Sequence, residues 1–197
     1  VYVFLPWTRA HVEALDSKWD ATAAWGRNPE RDKGFLISDN VLTEQWLVLY
    51  RSDRSFVWSS LQDLKGLRIG TVADYTYTPD FWRMVKDGTL QADVAPDDVS
   101  NLHKLLAGRV DVVPLDRNVA CDLLGAKFTG EQARRVRAFP KLFVPDFTTH
   151  VMMSAKHSLS AQRMEAFNRG LKALRQSGEY GRILLQQPCA ADLALVP

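Results

Sequence analysis

The groups best placed for chemistry in this chain lie at the ends of short apolar runs. Val110 to Val113 reads as a strand that delivers Asp116 to its carboxyl end, the place where ligands bind in open α/β sheets. A carboxylate there can meet a ligand, but aspartate is also a preferred helix N-cap, so plain capping of the next helix stands beside the ligand reading. A second such place is Ala73-Asp74-Tyr75-Thr76-Tyr77, between a strand at Arg68 to Val72 and a helix at Tyr77 to Val85. Backbone N–H groups at a helix start attract carboxylates and phosphates, while hydroxyls and rings supply orientation. The aromatic residues of that turn could equally be core. The charged loop Arg27-Asn28-Pro29-Glu30-Arg31-Asp32 reads by itself as an exposed turn in which Arg31 pairs loosely with Glu30 or Asp32, a contact worth little.

Several chemistries are disfavoured by what the sequence lacks. There is no glycine-rich dinucleotide fingerprint or phosphate loop, so no cofactor is expected. His11, His103, His150 and His157 show no paired spacing with cysteine or carboxylate, so no metal is expected either. With no nucleophile elbow or telling pair of carboxylates, catalysis ranks below binding, and no catalytic residue is assigned.

Composition agrees with an ordinary globular protein. The 197 residues are 46% hydrophobic and 24% charged, enough for one large domain or two small lobes. Basic and acidic residues, 25 and 23, are mixed along the chain and leave a net charge of +2, which gives no footprint for nucleic acid. No apolar run approaches the ~20 residues of a spanning helix, and the first residues do not read as a signal peptide. Cys121 and Cys189 are either one bridge closing a long loop or two thiols.

The elements that must position these residues alternate. An apolar start at Val1 to Leu5 precedes a helix from about Thr8 to Ser17, then a strand at Trp19 to Ala24 ending at Trp25-Gly26. Phe35 to Ile37 is extended, and Trp46 to Tyr50 is a nearly continuous apolar strand, as a sheet buried on both faces requires. Ser60 and Asp63 form a small capping arrangement before the strand at Arg68. Val99, Leu102, Leu105 and Leu106 share a helix face that stops at Gly108. Glu131 to Arg137 reads as helical, and Pro140 and Pro145 bracket an edge strand at Leu142 to Val144. A short strand at Val151 to Ser154 is followed by an amphipathic helix capped by Ser160 and ending at Gly178, then a last short helix.

The order of WDA at Trp19, PERDKGFLIS at Pro29, LKGLRIGTV at Leu64, LLAGRVDVVPLD at Leu105 and FNRGLKALRQSGEYGRIL at Phe167 resembles the bacterial extracellular solute-binding proteins of the polar amino-acid type. The resemblance implies an α/β fold, the type II periplasmic-binding-protein fold, with Rossmann-like lobes joined by two hinge strands and a ligand enclosed by hinge closure. Residues 1–43 plus 150–197 would form lobe 1 and residues 44–149 lobe 2. Relative to that family, a first strand, loop and helix of about forty residues have no counterpart here, an estimate from ordinary βα lengths.

Carried over by position, the arginine that grips an α-carboxylate falls on Arg31 and the acid that accepts an α-ammonium on Asp116. A planar guanidinium suits two parallel bonds to a carboxylate. Trp7 takes the place of an aromatic that packs on the ligand, Trp25 lies on the strand-end loop, and Tyr75 and Thr76 occupy the carboxylate-binding turn. Asp74 and Tyr75 depart from the family's glycine and small hydroxyl residue there. The resemblance further implies a monomeric, periplasmic or extracellular protein that binds an amino-acid-like solute and partners the membrane permease of an ABC transporter. A sensor module of a signalling protein is the alternative, followed by a dehydratase-type enzyme.

Overall fold

The computed structural model describes residues 1–73, 75–184 and 193, with the side chain of Pro145 excepted. The chain divides into two compact units. Among the described residues, the first is Val1–Thr43 with 147–184, and the second is Glu44–Asp146 with Leu193. Leu193 is 2% exposed and packs in the core of the second unit, whereas the sequence had assigned all of 150–197 to the first lobe. Two strands, β3 (Leu42–Arg51) and β7 (Val136–Ser154), carry the chain from one unit into the other.

In the first unit, α1 (Trp7–Leu15) presents Trp7, Ala10 and Ala14 at helical spacing to a core shared with Trp25, Phe35 and Met152. Strands β1 (Thr22–Gly26) and β2 (Phe35–Ile37) pair antiparallel with the end of β7, bringing Trp25 opposite His150 and Phe35 opposite Ser154. The register of β1 shifts between Thr22 and Trp25, where Ala24 has φ 64°. Such a bulge re-aims the side chain that follows, and here Trp25 turns into the core. Helices α7 (Ser160–Gln176) and α8 (Glu179–Leu184) complete the unit.

The expected exposed turn at 27–32 is instead the start of a helix, α2 (Pro29–Gly34). Asn28 caps it by accepting the Arg31 backbone N–H at 2.9 Å, and Pro29 sits at the first helical position, where a missing N–H costs nothing.

In the second unit β3 runs antiparallel to β6 (Val112–Asp116), and β6 and β5 (Gln91–Ala95) each run parallel to β4 (Arg68–Val72). Helices α3 (Pro79–Lys86), α4 (Asp98–Leu106), α5 (Arg117–Lys127) and α6 (Gly130–Arg134) intervene. Leu102, Leu105 and Leu106 of α4 pack with Leu47, Leu49, Val113 and Leu115, and Val99 packs against them. Gly108 adopts φ 70° after that helix, the left-handed stop that only glycine takes without strain.

The helix expected to reach Arg137 ends at Arg134, and β7 then runs unbroken through both Pro140 and Pro145. Proline fits an extended backbone provided no ladder hydrogen bond needs its N–H, so it punctuated the pattern without ending the strand. Cys121 is buried in the second unit's core; Cys189 lies outside the described residues, and with it the question of a bridge.

Candidate functional site

The second unit gathers its chemistry at one edge of its sheet. The parallel strands β4, β5 and β6 end on the same side, and their carboxyl ends lead to Tyr75, Asp98 and Asp116. Because β3 is antiparallel to β6, its beginning lies at that edge too, with Trp46 opposite Asp116.

Asp116 is 4% exposed. Its Oδ1 accepts the backbone N–H groups of Asn118 at 2.8 Å and Val119 at 3.1 Å, and its Oδ2 accepts that of Gln45 at 3.0 Å. The capping reading is therefore realised, and the carboxylate also ties β3 to the start of α5. Burial pushes its pKa up against the pull of those N–H donors.

Glu44 lies beside it, and its Oε2 accepts the indole N–H of Trp46 at 2.7 Å. Burial raises Glu44 to about 7, and the charge of Asp116 adds to the rise. Asp98, the first residue of α4, accepts the Tyr75 hydroxyl at Oδ2 at 2.6 Å. Burial raises Asp98 to about 6, helped by the charges of Asp97 and Asp116. Rings surround these acids: Trp46 meets Tyr75 at 5.8 Å and Tyr77 at 5.4 Å, both edge-on.

The aromatic turn divides between the two readings open at the sequence level. Tyr77 is core, its hydroxyl accepting the Val72 N–H at 2.9 Å and its pKa raised by burial. Tyr75 and Thr76 are half-buried, and the Thr76 carbonyl accepts the Trp82 indole N–H at 2.9 Å. Asp74 lies outside the described residues.

In the first unit, Arg31 lies over the ring of Trp25, 4.7 Å from its centroid, and donates from Nη1 to the Gly26 carbonyl. Its acidic neighbours pair with other cations, Asp32 with Arg27 at 3.0 Å and Glu30 with Lys33 at 2.7 Å. Trp25 is 4% exposed, donates to Thr22 Oγ1 at 2.8 Å and meets Trp7 edge-on at 4.9 Å. It is thus the platform beneath the guanidinium. Trp7 is half-buried on the rim of the same cluster, which His11 joins at 5.4 Å from Trp25.

No family model matches the chain, nor does any curated protein sequence. Solved structures do match. An ancestral arginine-binding protein bound to arginine superposes with a TM-score of 0.79 at 18% identity, covering 95% of this chain and 79% of its own. An arginine third transport system periplasmic binding protein from Legionella pneumophila gives 0.78 at 15% identity, covering 95% and 81%. A histidine kinase sensor domain with similarity to periplasmic binding proteins gives 0.77 at 14% identity, covering 92% and 75%. The fold is that of the two-lobed periplasmic binding proteins. At these identities the likeness is one of fold, and these structural neighbours are binding proteins and a sensor domain. Among the described residues of this binding-protein fold, no helix is long and apolar enough to cross a membrane, and no group of three or more His, Cys, Asp or Glu could hold a metal ion.

Sequence reasoning missed Glu44, Trp46 and Asp98. Asp98 was signalled by Pro96-Asp97-Asp98: one aspartate caps the helix, as Asp97 does by accepting the Ser100 N–H at 2.7 Å, and the second is left over. Glu44 was signalled only as an isolated acid opening an apolar strand.

Proposed function

We propose that the protein captures a small amino-acid-like solute outside the cytoplasm and delivers it to the permease of an ABC importer, without chemistry of its own. Arg31 takes the ligand carboxylate and Asp116 its ammonium. Trp7, Tyr75 and Thr76 contact the ligand's remainder, while Trp25 acts through Arg31 by holding its guanidinium in place. The supporting observation is Asp116 itself: a carboxylate at a strand's carboxyl end, buried and oriented by three backbone N–H groups, in a fold whose neighbours include proteins bound to arginine and to glutamine. A buried carboxylate with fixed geometry is a prepared acceptor for a cation.

A thermal-shift screen of the common L-amino acids tests this, because a ligand that binds the folded state raises its melting temperature by mass action. One or more amino acids should stabilise the protein, and Arg31→Ala should abolish that shift. A screen in which none stabilises it would overturn the reading. The likeness to a histidine kinase sensor domain favours a second reading, a sensory module that binds the same class of solute. The encoded protein distinguishes the two: a kinase or other output domain in the same polypeptide marks a sensor.

A further inference from the structure

The acidic edge of the second unit carries more negative charge than one ligand ammonium requires. Burial raises the pKa of Glu44, Asp98 and Asp116 alike, and among the described residues no lysine or arginine lowers that of Glu44 or Asp98. Elsewhere in the same unit acids are answered, Asp111 by Arg68 at 3.1 Å and Asp93 by Lys104 at 2.7 Å. Buried carboxylates without a counter-charge are costly, and proteins retain them where a ligand or a proton completes them.

Asp98 gives the independent sign that something is to be held here. It is 8% exposed, its Oδ2 is turned to Tyr75, and its Oδ1 has no hydrogen-bond partner although it is buried. Glu44 uses only one oxygen, toward Trp46. Trp46 meets Glu44 through its indole N–H, Tyr75 meets Asp98 through its hydroxyl, and the two rings meet edge-on at 5.8 Å, which links the acids through aromatic surface of the kind that attracts cations.

We infer that Glu44 and Asp98 form a subsite for a second positive charge on the ligand, a guanidinium or a terminal ammonium, and so determine specificity for cationic over neutral solutes. The inference rests on Asp116 as the acceptor of the first charge. A delocalised, weakly hydrated guanidinium suits a position between a carboxylate and aromatic rings.

L-Arginine and L-citrulline test it, since they share a shape and differ in the charge of the terminal group. Isothermal titration of the full chain should give arginine a Kd lower than that of citrulline by roughly 100-fold or more, a coupling of the size seen for desolvated charge pairs. Glu44→Gln should cut that ratio about 10-fold or more, and Asp98→Asn should cut it in the same direction. Thermal unfolding of each variant without ligand reports that it is folded; if either fails to fold, Glu44→Asp, which retracts the charge without removing it, must lower the ratio instead. Equal affinity of the unaltered protein for arginine and citrulline, or for a neutral amino acid above arginine, overturns the inference and leaves the proposed function standing. An unchanged ratio in the variants overturns it too. Absence of binding by any amino acid overturns both.

Discussion

Trp46 donates its indole N–H to Glu44 Oε2 at 2.7 Å, and the strand position it occupies is opposite Asp116. One tryptophan thereby sits between two acids whose pKa values are both raised, chiefly by burial. The folded protein holds protons on these groups at pH values where the unfolded chain has released them.

The sign of the pH dependence follows. For an acid whose folded pKa lies above its ordinary value, stability falls as pH rises between the two. For Glu44 that window runs from 4.5 to about 7, and Asp98 acts in the same sense up to about 6. Urea unfolding of the ligand-free protein should show stability declining across this range. Glu44→Gln should flatten the decline and be more stable than the unaltered protein at pH 8 by about 1–2 kcal/mol, after allowance for partial solvent screening. The difference should shrink at pH 5. A variant less stable at pH 8 would mean that a cationic group answers Glu44 in the folded chain.

Asp116 does two jobs that substitutions can separate. Asp116→Ala removes the acceptor of three backbone N–H groups at a buried helix start and should cost about 1–3 kcal/mol of stability. Asp116→Asn keeps one carbonyl oxygen for the cap, so its melting temperature should fall less. It cannot balance a ligand ammonium, however, and calorimetry should find ligand binding lost in both variants. Retained affinity in Asp116→Asn would reduce Asp116 to a structural cap.

Much of this was legible in the chain. β4 at Arg68–Val72, the stop at Gly108 and Asp116 at the opening of α5 follow from local rules: apolar alternation, left-handed glycine and N-capping. Helix α2 was legible in principle, since Asn28-Pro29 is an N-cap followed by a preferred first residue, but the charged sequence around it read as a turn. The acids that join Asp116 were not legible, because the pairing that sets Trp46 opposite Asp116 joins residues distant in sequence. Nor was the burial that shifts Asp98 readable from its own neighbours, which look like ordinary capping. The burial of Trp25 was not legible either, because the bulge at Ala24, which turns it inward, has no signature in an Ala-Ala sequence.

Gly70 tests the packing behind the acidic edge. A Cβ there would lie 2.9 Å from Asn101 Oδ1 and 3.0 Å from Val113 Cγ2, both within the α4 and β6 packing. Gly70→Ala should destabilise the protein by about 1–3 kcal/mol, the usual cost of overpacking a core. Paired with Asn101→Ala, which vacates that space, the loss should be smaller than the sum of the two single losses. Additive losses in urea unfolding would show that the two residues do not compete for one space.

Arg31 separates charge from shape. Its guanidinium carbon lies 4.7 Å from the centroid of the Trp25 ring and the group is anchored to the Gly26 carbonyl, contacts that restrict the planar fork before any ligand arrives. Lysine keeps the charge but supplies neither the planar group nor two parallel donors. Arg31→Lys should therefore retain the fold, since the residue is half-exposed on a short surface helix, yet lose roughly 10-fold or more in ligand affinity. Trp25→Leu should weaken binding in the same direction through the lost platform, with an added stability cost from the edge-on contact with Trp7. If Arg31→Lys binds ligand as tightly as arginine at that position, the carboxylate is held by charge alone and the Trp25 platform has no role in recognition.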